Sequence, residues 1–248
     1  SKFVISVDVP SGFPTELAVK PSMTVTMQFI KEGMTERNCG TIVVADVGFP
    51  KDVIESVGPG EFITYKKNSV DSHKGENGIV VAIGGSHLFY GAPLYMAKGA
   101  SRMGVDLVFL FAPESIHNLL SSFNDMILRK SGYNFIEFND EIKHLIEERD
   151  VTVAIGPGIT KSREALENAR KIIDFAIDNR RNLVVDADAL LTINEYSDFK
   201  GLAVLTPHRG EFKQSFNLEP NEENVKLIAK KIDATLLLKG PIDIISNG

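Results

Sequence analysis

The chain has 248 residues, 43% of them hydrophobic and 24% charged, enough to build a real core in one large or two smaller domains. Its 27 Lys and Arg against 33 Asp and Glu leave a formal charge of −6, without the basic block that nucleic-acid binding by counterion release requires. The single cysteine, Cys39, excludes an intramolecular disulfide and a Cys-rich zinc site and suits a reducing compartment, so a cytoplasmic location is expected.

No apolar run approaches the ~18 residues of a membrane span, and the amino terminus lacks a signal-peptide pattern. In chain order, residues 3–7, 24–29 and 41–47 read as strands, with almost no helical periodicity among the first fifty residues. Val4, Val25, Val43 and Val44 on these strands need an apolar partner surface. A polar, turn-rich stretch follows, with Gly58-Pro59-Gly60, Lys66-Lys67-Asn68-Ser69 and residues 71–78, which reads as a linker or surface loop. A domain boundary is expected there, placed between residues 55 and 56.

Beyond it, short unbroken apolar runs recur at 79–83, 107–112, 151–155, 183–185, 202–205 and 235–238, as in parallel strands buried on both faces. Between the third and fourth runs, Ala165, Leu166, Ala169, Ile172, Ile173, Ala176 and Ile177 repeat at helical spacing. A second helix is expected from 91 to 103, with Pro93 in its first turn and Gly104 as its stop. The alternation predicts an α/β, doubly wound, mostly parallel sheet.

In such a sheet, ligands lie beyond the carboxyl ends of the strands. Gly84-Gly85-Ser86-His87 follows Ile83, and Gly156-Pro157-Gly158 follows Ile155. These glycines either let backbone approach a ligand and offer N–H groups to an anion, or merely make tight turns. After Val185 comes Asp186-Ala187-Asp188, two acids able to hold ribose hydroxyls, a metal-bound water or a proton. Asp188 has the chemistry of an N-cap for the next helix, whereas Asp186 has no such local role. Thr206-Pro207-His208-Arg209-Gly210-Glu211 follows Leu205, and His208 is expected to face the cleft in preference to His73, His87, His117 and His144. Lys239-Gly240 follows Leu238, where the lysine meets a phosphate as a point charge or simply ends in solvent. P-loop, G-x-G-x-x-G and H-E-x-x-H motifs are absent, and Gly84-Gly85-Ser86-His87-Leu88 lacks the closing glycine of a nucleophile elbow.

In this order, Gly84-Gly85-Ser86 with Gly91-Ala92-Pro93, Gly156-Pro157-Gly158, Asp186 to Leu190, Leu205 to Glu211 and Leu238-Lys239-Gly240 resemble the NAD(P)H-hydrate dehydratases over about residues 75–248. The resemblance implies a ribokinase-like fold, with Gly85, Ser86, Gly156, Gly158, Asp186 and His208 binding substrate and Lys239 and Gly240 binding nucleotide. It further implies that ADP or ATP phosphorylates the hydroxyl of the hydrated nicotinamide ring and that phosphate is then eliminated to restore NAD(P)H. Mg²⁺ would be held mainly by nucleotide oxygens and water, so no protein metal ligand is assigned.

The first fifty residues, through Val7-Asp8-Val9-Pro10-Ser11-Gly12, Thr24-Val25-Thr26 with Lys31 and Gly33, and Asp46-Val47-Gly48-Phe49-Pro50, resemble the tail of the Rossmann-like NAD(P)H-hydrate epimerase domain. Asp8 matches that family's catalytic aspartate, and K⁺ is the cation the resemblance implies. Residues 1–55 are accordingly read as part of an epimerase domain and 56–248 as a dehydratase domain. The epimerase substrate loop, upstream, and the dehydratase glycine-rich loop with its catalytic aspartate, downstream, fall outside the sequence. The chain is therefore expected to be a section of a longer bifunctional repair enzyme. Such an enzyme would take NADHX or NADPHX with ADP or ATP, form a homo-oligomer, and bind neither nucleic acid nor membrane. A ribokinase-like kinase of a vitamin precursor or sugar is the alternative enzyme, and a non-catalytic nucleotide-binding protein the alternative class. The 206–211 motif and the epimerase-like tail favour the dehydratase.

Overall fold

A computed structural model describes residues 2–65 and 68–248. By contacts the chain forms two units, Ser1–Lys67 and Asn68–Gly248. The division thus falls inside the polar stretch, beyond residue 55, because the turn Pro59–Thr64 belongs with the first unit. Lys66 and Lys67 of that stretch lie outside the described residues.

The first unit is a parallel sheet in the order β1 (Ile5–Val7), β2 (Met23–Met27), β3 (Thr41–Ala45), with two short helices, α1 (Glu36–Cys39) and α2 (Lys51–Glu55). Central strand β2 inverts the expected pattern: Thr24 and Thr26 are its fully buried residues, while Val25 is only half-buried. On β3, Val43 and Val44 remain exposed. The inversion is physically affordable because both hydroxyls are satisfied, Thr24 Oγ1 donating to the Cys39 carbonyl at 2.6 Å and Thr26 Oγ1 to that of Phe29 at 3.1 Å.

The second unit holds an eight-stranded sheet. Its strands are β4 (Ile79–Ile83), β5 (Leu107–Ala112), β6 (Ile127–Lys130), β7 (Thr152–Ile155), β8 (Asn182–Val185), β9 (Ala203–Leu205), β10 (Thr235–Leu238) and β11 (Ile244–Ser246). The order is β11-β10-β9-β8-β7-β4-β5-β6, parallel throughout except for β11 against β10. The chain therefore builds outward from β4 through β5 to β6, returns to the other side of β4, and builds away again from β7. Strands β4 and β7 meet with Val80 opposite Thr152 and Ile83 opposite Ile155, the reversal at which open α/β sheets bind ligands. Alternate residues of β4 and β5 enter opposite core layers: Val81, Ile83, Phe109 and Phe111 on one face, Ala82, Val108 and Leu110 on the other. That two-sided burial is why these runs carry no polar alternation.

The covering helices are α3 (Gly91–Arg102), α4 (His117–Leu120), α5 (Asp140–Glu148), α6 (Arg163–Asp178), α7 (Arg209–Phe216) and α8 (Glu222–Ile232). Helix α6 follows the expected stripe: Ser162 Oγ accepts from the Ala165 amide at 3.2 Å, and Ala165, Ala169, Ile172, Ile173, Ala176 and Ile177 are buried. Ile172 and Ile173 alone remove enough apolar surface to contribute about 1.5–3 kcal/mol each. Strand β6 was not expected. It offers only Ile127 and Leu128 before Arg129 and Lys130, a composition that an edge strand tolerates. Among the described residues, no helix is long and apolar enough to cross a membrane.

Candidate active site

Because β4, β5 and β7–β10 are parallel, their carboxyl ends line one edge of the sheet. Hydrogen bonds continue past the strands there and join each loop to the next. The Gly84 amide donates to Phe111 O at 3.1 Å, Gly156 to Ile83 O at 3.2 Å, Asp186 to Ile155 O at 3.1 Å, Thr206 to Val185 O at 3.1 Å, and Lys239 to Pro207 O at 2.8 Å. Gly85 N also donates across the reversal to Pro157 O at 2.9 Å. The edge is therefore a continuous backbone shelf carrying the motifs singled out beyond residue 75, Gly85, Ser86, Gly156, Gly158, Asp186, His208, Lys239 and Gly240 among them.

The glycines serve this shelf first. Gly156 has φ +128°, and a Cβ there would lie 1.8 Å from Asp186 O and 2.9 Å from Ala189 Cβ, so only glycine lets the second and third loops meet. Gly158, with φ +78°, would place a Cβ 3.1 Å from Phe89 Cβ and 3.4 Å from Gly85 Cα. The amides of Gly84 and Gly156 donate to the neighbouring strand ends Phe111 and Ile83, and that of Gly85 to the loop residue Pro157, the arrangement of the tight-turn alternative. Ser86 is buried, and its Oγ accepts from the Phe89 amide at 3.2 Å, shaping the turn that leads into α3. The Gly240 amide is likewise engaged, donating to Asp243 Oδ1 at 2.9 Å.

The anion-ready group lies elsewhere, and the residue-by-residue reading missed it. Helices α5, α6, α7 and α8 each have a side-chain N-cap, from Asn139, Ser162, His208 and Asn221 respectively. Helix α3 has none: Tyr90 stands at its N-cap without a capping hydrogen bond. Its first-turn amides and positive dipole end therefore open beside Gly84-Gly85-Ser86, at the sheet reversal. The signal was legible as the absence of Ser, Thr, Asp or Asn before Gly91.

Asp186 occupies the N-cap position of the 3-10 turn Ala187–Thr192, with φ −136° and ψ 168°, but makes no side-chain cap. Asp188, expected to be the cap, lies inside the first turn instead. The Asp186 carboxylate is drawn to Lys239, whose Nζ donates to Oδ1 at 2.7 Å. With the two side chains 32% and 40% exposed, the pair contributes at most about 1 kcal/mol to stability. Its value is to hold a carboxylate and an ammonium together at the cleft.

His208 is the N-cap of α7. Its Nδ1 accepts from the amides of Gly210 at 3.0 Å and Glu211 at 3.1 Å, while Glu211 Oε2 accepts from the His208 amide at 2.8 Å. This reciprocal arrangement requires an unprotonated Nδ1, so the neutral ring carries its proton on Nε2, 3.4 Å from Glu211 Oε1. The spacing His208…Glu211 was the available signal, hidden because histidine is an unusual cap. The backbone of His208 also bridges to Lys239 in parallel register, so the two stand side by side on the shelf.

Asp8 belongs to the first unit. It has φ +66°, and its Oδ1 accepts from Lys31 Nζ and, at 3.1 Å, from the Met27 amide. Lys31 also donates to Thr26 Oγ1 at 2.9 Å and to Met27 O at 2.8 Å. The Lys31 hydrogen bond first, and the Met27 amide second, hold the Asp8 carboxyl below its usual range. Among the described residues, no group of three or more His, Cys, Asp or Glu side chains is placed to hold a metal.

Residues 80–248 match the family model described as NAD(P)H-hydrate dehydratase. The chain is 36% identical over 268 residues to the bifunctional NAD(P)H-hydrate repair enzyme Nnr of Methanothermobacter thermautotrophicus, an alignment covering 99% of this chain and 51% of that protein. It is 32% identical to the ADP-dependent (S)-NAD(P)H-hydrate dehydratase of Nitrosopumilus maritimus, over 76% of this chain and 67% of that one. The chain thus spans about half the length of the bifunctional relatives it matches. Among solved structures, a ribokinase-like superfamily protein from Enterococcus faecalis superposes with a TM-score of 0.60 at 20% identity, covering 73% of this chain and 67% of that chain. The ADP/ATP-dependent NAD(P)H-hydrate dehydratase from Bacillus subtilis, co-crystallised with ATP and Mg²⁺, does so with 0.56 at 20% identity, covering 73% and 68%. Both likenesses give the fold as ribokinase-like.

Proposed function

The chain belongs to the NAD(P)H-hydrate dehydratase family, and on that premise we propose that the protein uses ADP or ATP to dehydrate NADHX or NADPHX. The observation that carries this reading is that the dehydratase-like motifs follow successive strands of one sheet, along the single edge that begins at the β4–β7 reversal and runs to β10. The ring hydroxyl, giving up its proton, attacks the terminal phosphorus, and the bond from that phosphorus to the bridging oxygen breaks, releasing AMP from ADP or ADP from ATP. The new C–O–P link then breaks at its C–O bond, releasing phosphate, and loss of a proton from the adjacent ring carbon restores the double bond. A phosphate ester leaves far more readily than hydroxide, so the protein's task is mainly to place and stabilise charge.

The open α3 amino terminus receives anionic oxygen, and Lys239 meets a second one as a point charge. Asp186 keeps Lys239 aimed until the ligand arrives. The Nε2 edge of His208, beside Lys239, donates to a polar group of the substrate. The Asp186 carboxylate fits Mg²⁺ that arrives with nucleotide oxygens and keeps its water. For residues 1–55 we propose the epimerase reading, with Asp8 as the proton-moving acid and K⁺ as its cation, supported by the Asp8 network and the motif resemblance. A homo-oligomer in the cytoplasm completes the proposal. The test supplies the whole natural protein with Mg²⁺, nucleotide and NADHX: reduced-nicotinamide absorbance rises together with phosphate release. A stable phosphorylated product from hydroxymethyl substrates, with no such rise, would replace the dehydratase by a small-molecule kinase.

A further inference from the structure

A cleft lies away from the shelf, lined by α5 and by β5 and β6 at the edge of the sheet. Residues two apart on a strand share a face, so Leu107 and Phe109 of β5 and Ile127 and Arg129 of β6 face α5, with Phe109 opposite Ile127 and Phe111 opposite Arg129. From α5, Glu141, His144 and Leu145 follow at helical spacing, and Arg149 is its C-cap. These residues and Lys74 line an open cleft of about 500 Å³, within the size range of small-ligand sites. Leu107, Phe109, Ile127 and Leu145 make the floor.

The rim is cationic in a chain whose formal charge is −6. Arg129 is paired, its Nε 2.7 Å from Glu141 Oε1. Lys74 and Arg149 make no ion pair among the described residues, and His144 adds a group that can donate. The position of Lys74 is built: Asp106 Oδ2 accepts from the Gly75 amide at 2.7 Å and the Asn77 amide at 3.0 Å, and its Oδ1 from Asn77 Nδ2 at 3.0 Å. That clamp fixes the loop on which the lysine stands.

We propose that this cleft binds a small amphiphilic anion, an aromatic or alkyl body on the Leu107–Phe109–Ile127–Leu145 floor with a phosphate or carboxylate held by Lys74 and Arg149. The site is separate from the dehydratase shelf and does not depend on the function assigned to it. The floor explains selectivity for an apolar body, and the two unpaired cations explain selectivity for an anionic head.

The test is methyl NMR on the purified protein, following Leu107, Ile127 and Leu145 during titration with phenyl phosphate, hexanoate, neutral benzamide and inorganic phosphate. Phenyl phosphate and hexanoate are expected to shift these methyls saturably, their ranking telling a phosphate from a carboxylate site. Benzamide and inorganic phosphate should bind about tenfold more weakly, each lacking one half of the recognition. The exposed-surface double variant K74E/R149E should weaken phenyl phosphate by about tenfold, and K74Q/R149Q should do so more mildly, both with unchanged spectra elsewhere. Equal binding of benzamide, an unchanged affinity in both double variants, or shifts confined to the Asp186–Lys239 shelf would each overturn the proposal. So would a concentration-dependent dimer that buries these methyls and is not displaced by phenyl phosphate.

Discussion

Each unit ends a parallel strand in an aspartate held by a lysine, and the two pairs differ in what the lysine has left to give. Lys31 divides its donors among Asp8, Thr26 and Met27, whereas Lys239 donates to Asp186 alone among the bonds its ammonium makes. The first ammonium is saturated and acts as a strut. The second retains hydrogen-bonding capacity and stands on a shelf of loop ends beside an uncapped helix. Their surroundings differ as well: the buried Thr26 shares Lys31 with Asp8, while Asp186 follows Leu183 and Val185, which are packed in the apolar core. A carboxylate–ammonium pair therefore says little by itself, and the remaining hydrogen-bonding capacity of the ammonium separates a lysine that can meet a phosphate from one that only holds its aspartate.

The harshest break of that comparison removes the support beneath the second pair. Gly156→Val drives a side chain into Asp186 O at a positive φ and should cost about 3 kcal/mol or more, read as a fall in the urea midpoint. A variant of wild-type stability would show that the loops separate freely. Next, Lys239→Met in the whole protein should lower nucleotide-dependent kcat/KM by roughly 100-fold, while Lys31→Met leaves dehydration unchanged. Equal losses in both would erase the distinction between strut and site.

A smaller effect concerns pH. The folded-state carboxyl of Asp8 is depressed below its ordinary 3.8, so its stabilising contribution is present above that value and is lost as pH falls through the depressed folded value. Carboxyl NMR titration of Asp8 should accordingly move upward toward 3.8 in Lys31→Met. No movement would mean that the Met27 amide, not the ammonium, sets the shift. The smallest effect belongs to His208. Removing the α7 cap with His208→Ala should cost about 1 kcal/mol, and His208→Asn should restore most of it. If kcat/KM stays low in His208→Asn after stability returns, the Nε2 edge contacts substrate; full recovery would make His208 a cap and nothing more.

The parts of the fold that were legible are those where burial writes one unambiguous pattern. Residues 79–83 and 107–112 are strands at the expected bounds because two-sided burial permits no polar interruption, and 235–238 is one as well, with Leu236 and Leu238 on its buried face. Strand β6 and helices α5, α7 and α8 escaped notice, being edge or surface elements whose exposed faces dilute the apolar signal. The shelf itself followed from a rule, that strand ends in a parallel sheet carry chemistry. The roles on it did not, since they depend on partners distant in sequence: Asp186 meets Lys239 across a separation of 53 residues. In the first unit, period-2 reading marked the strands but not which side would be buried, because a satisfied threonine hides as readily as a valine.

The reversal of strand order also governs how the molecule is assembled in time. Strands β4 to β6 can zip from local connections, and so can β7 to β10, but the seam joining Val80 to Thr152 closes a long loop and carries the larger entropic cost. A chain with only one half formed would have motifs but no crevice, since Gly85 and Pro157 stand on opposite sides of that seam. Ligand occupancy of the shelf is therefore a reporter of completed folding. By mass action, a nucleotide bound as proposed would stabilise the closed seam and leave the half-zipped species behind.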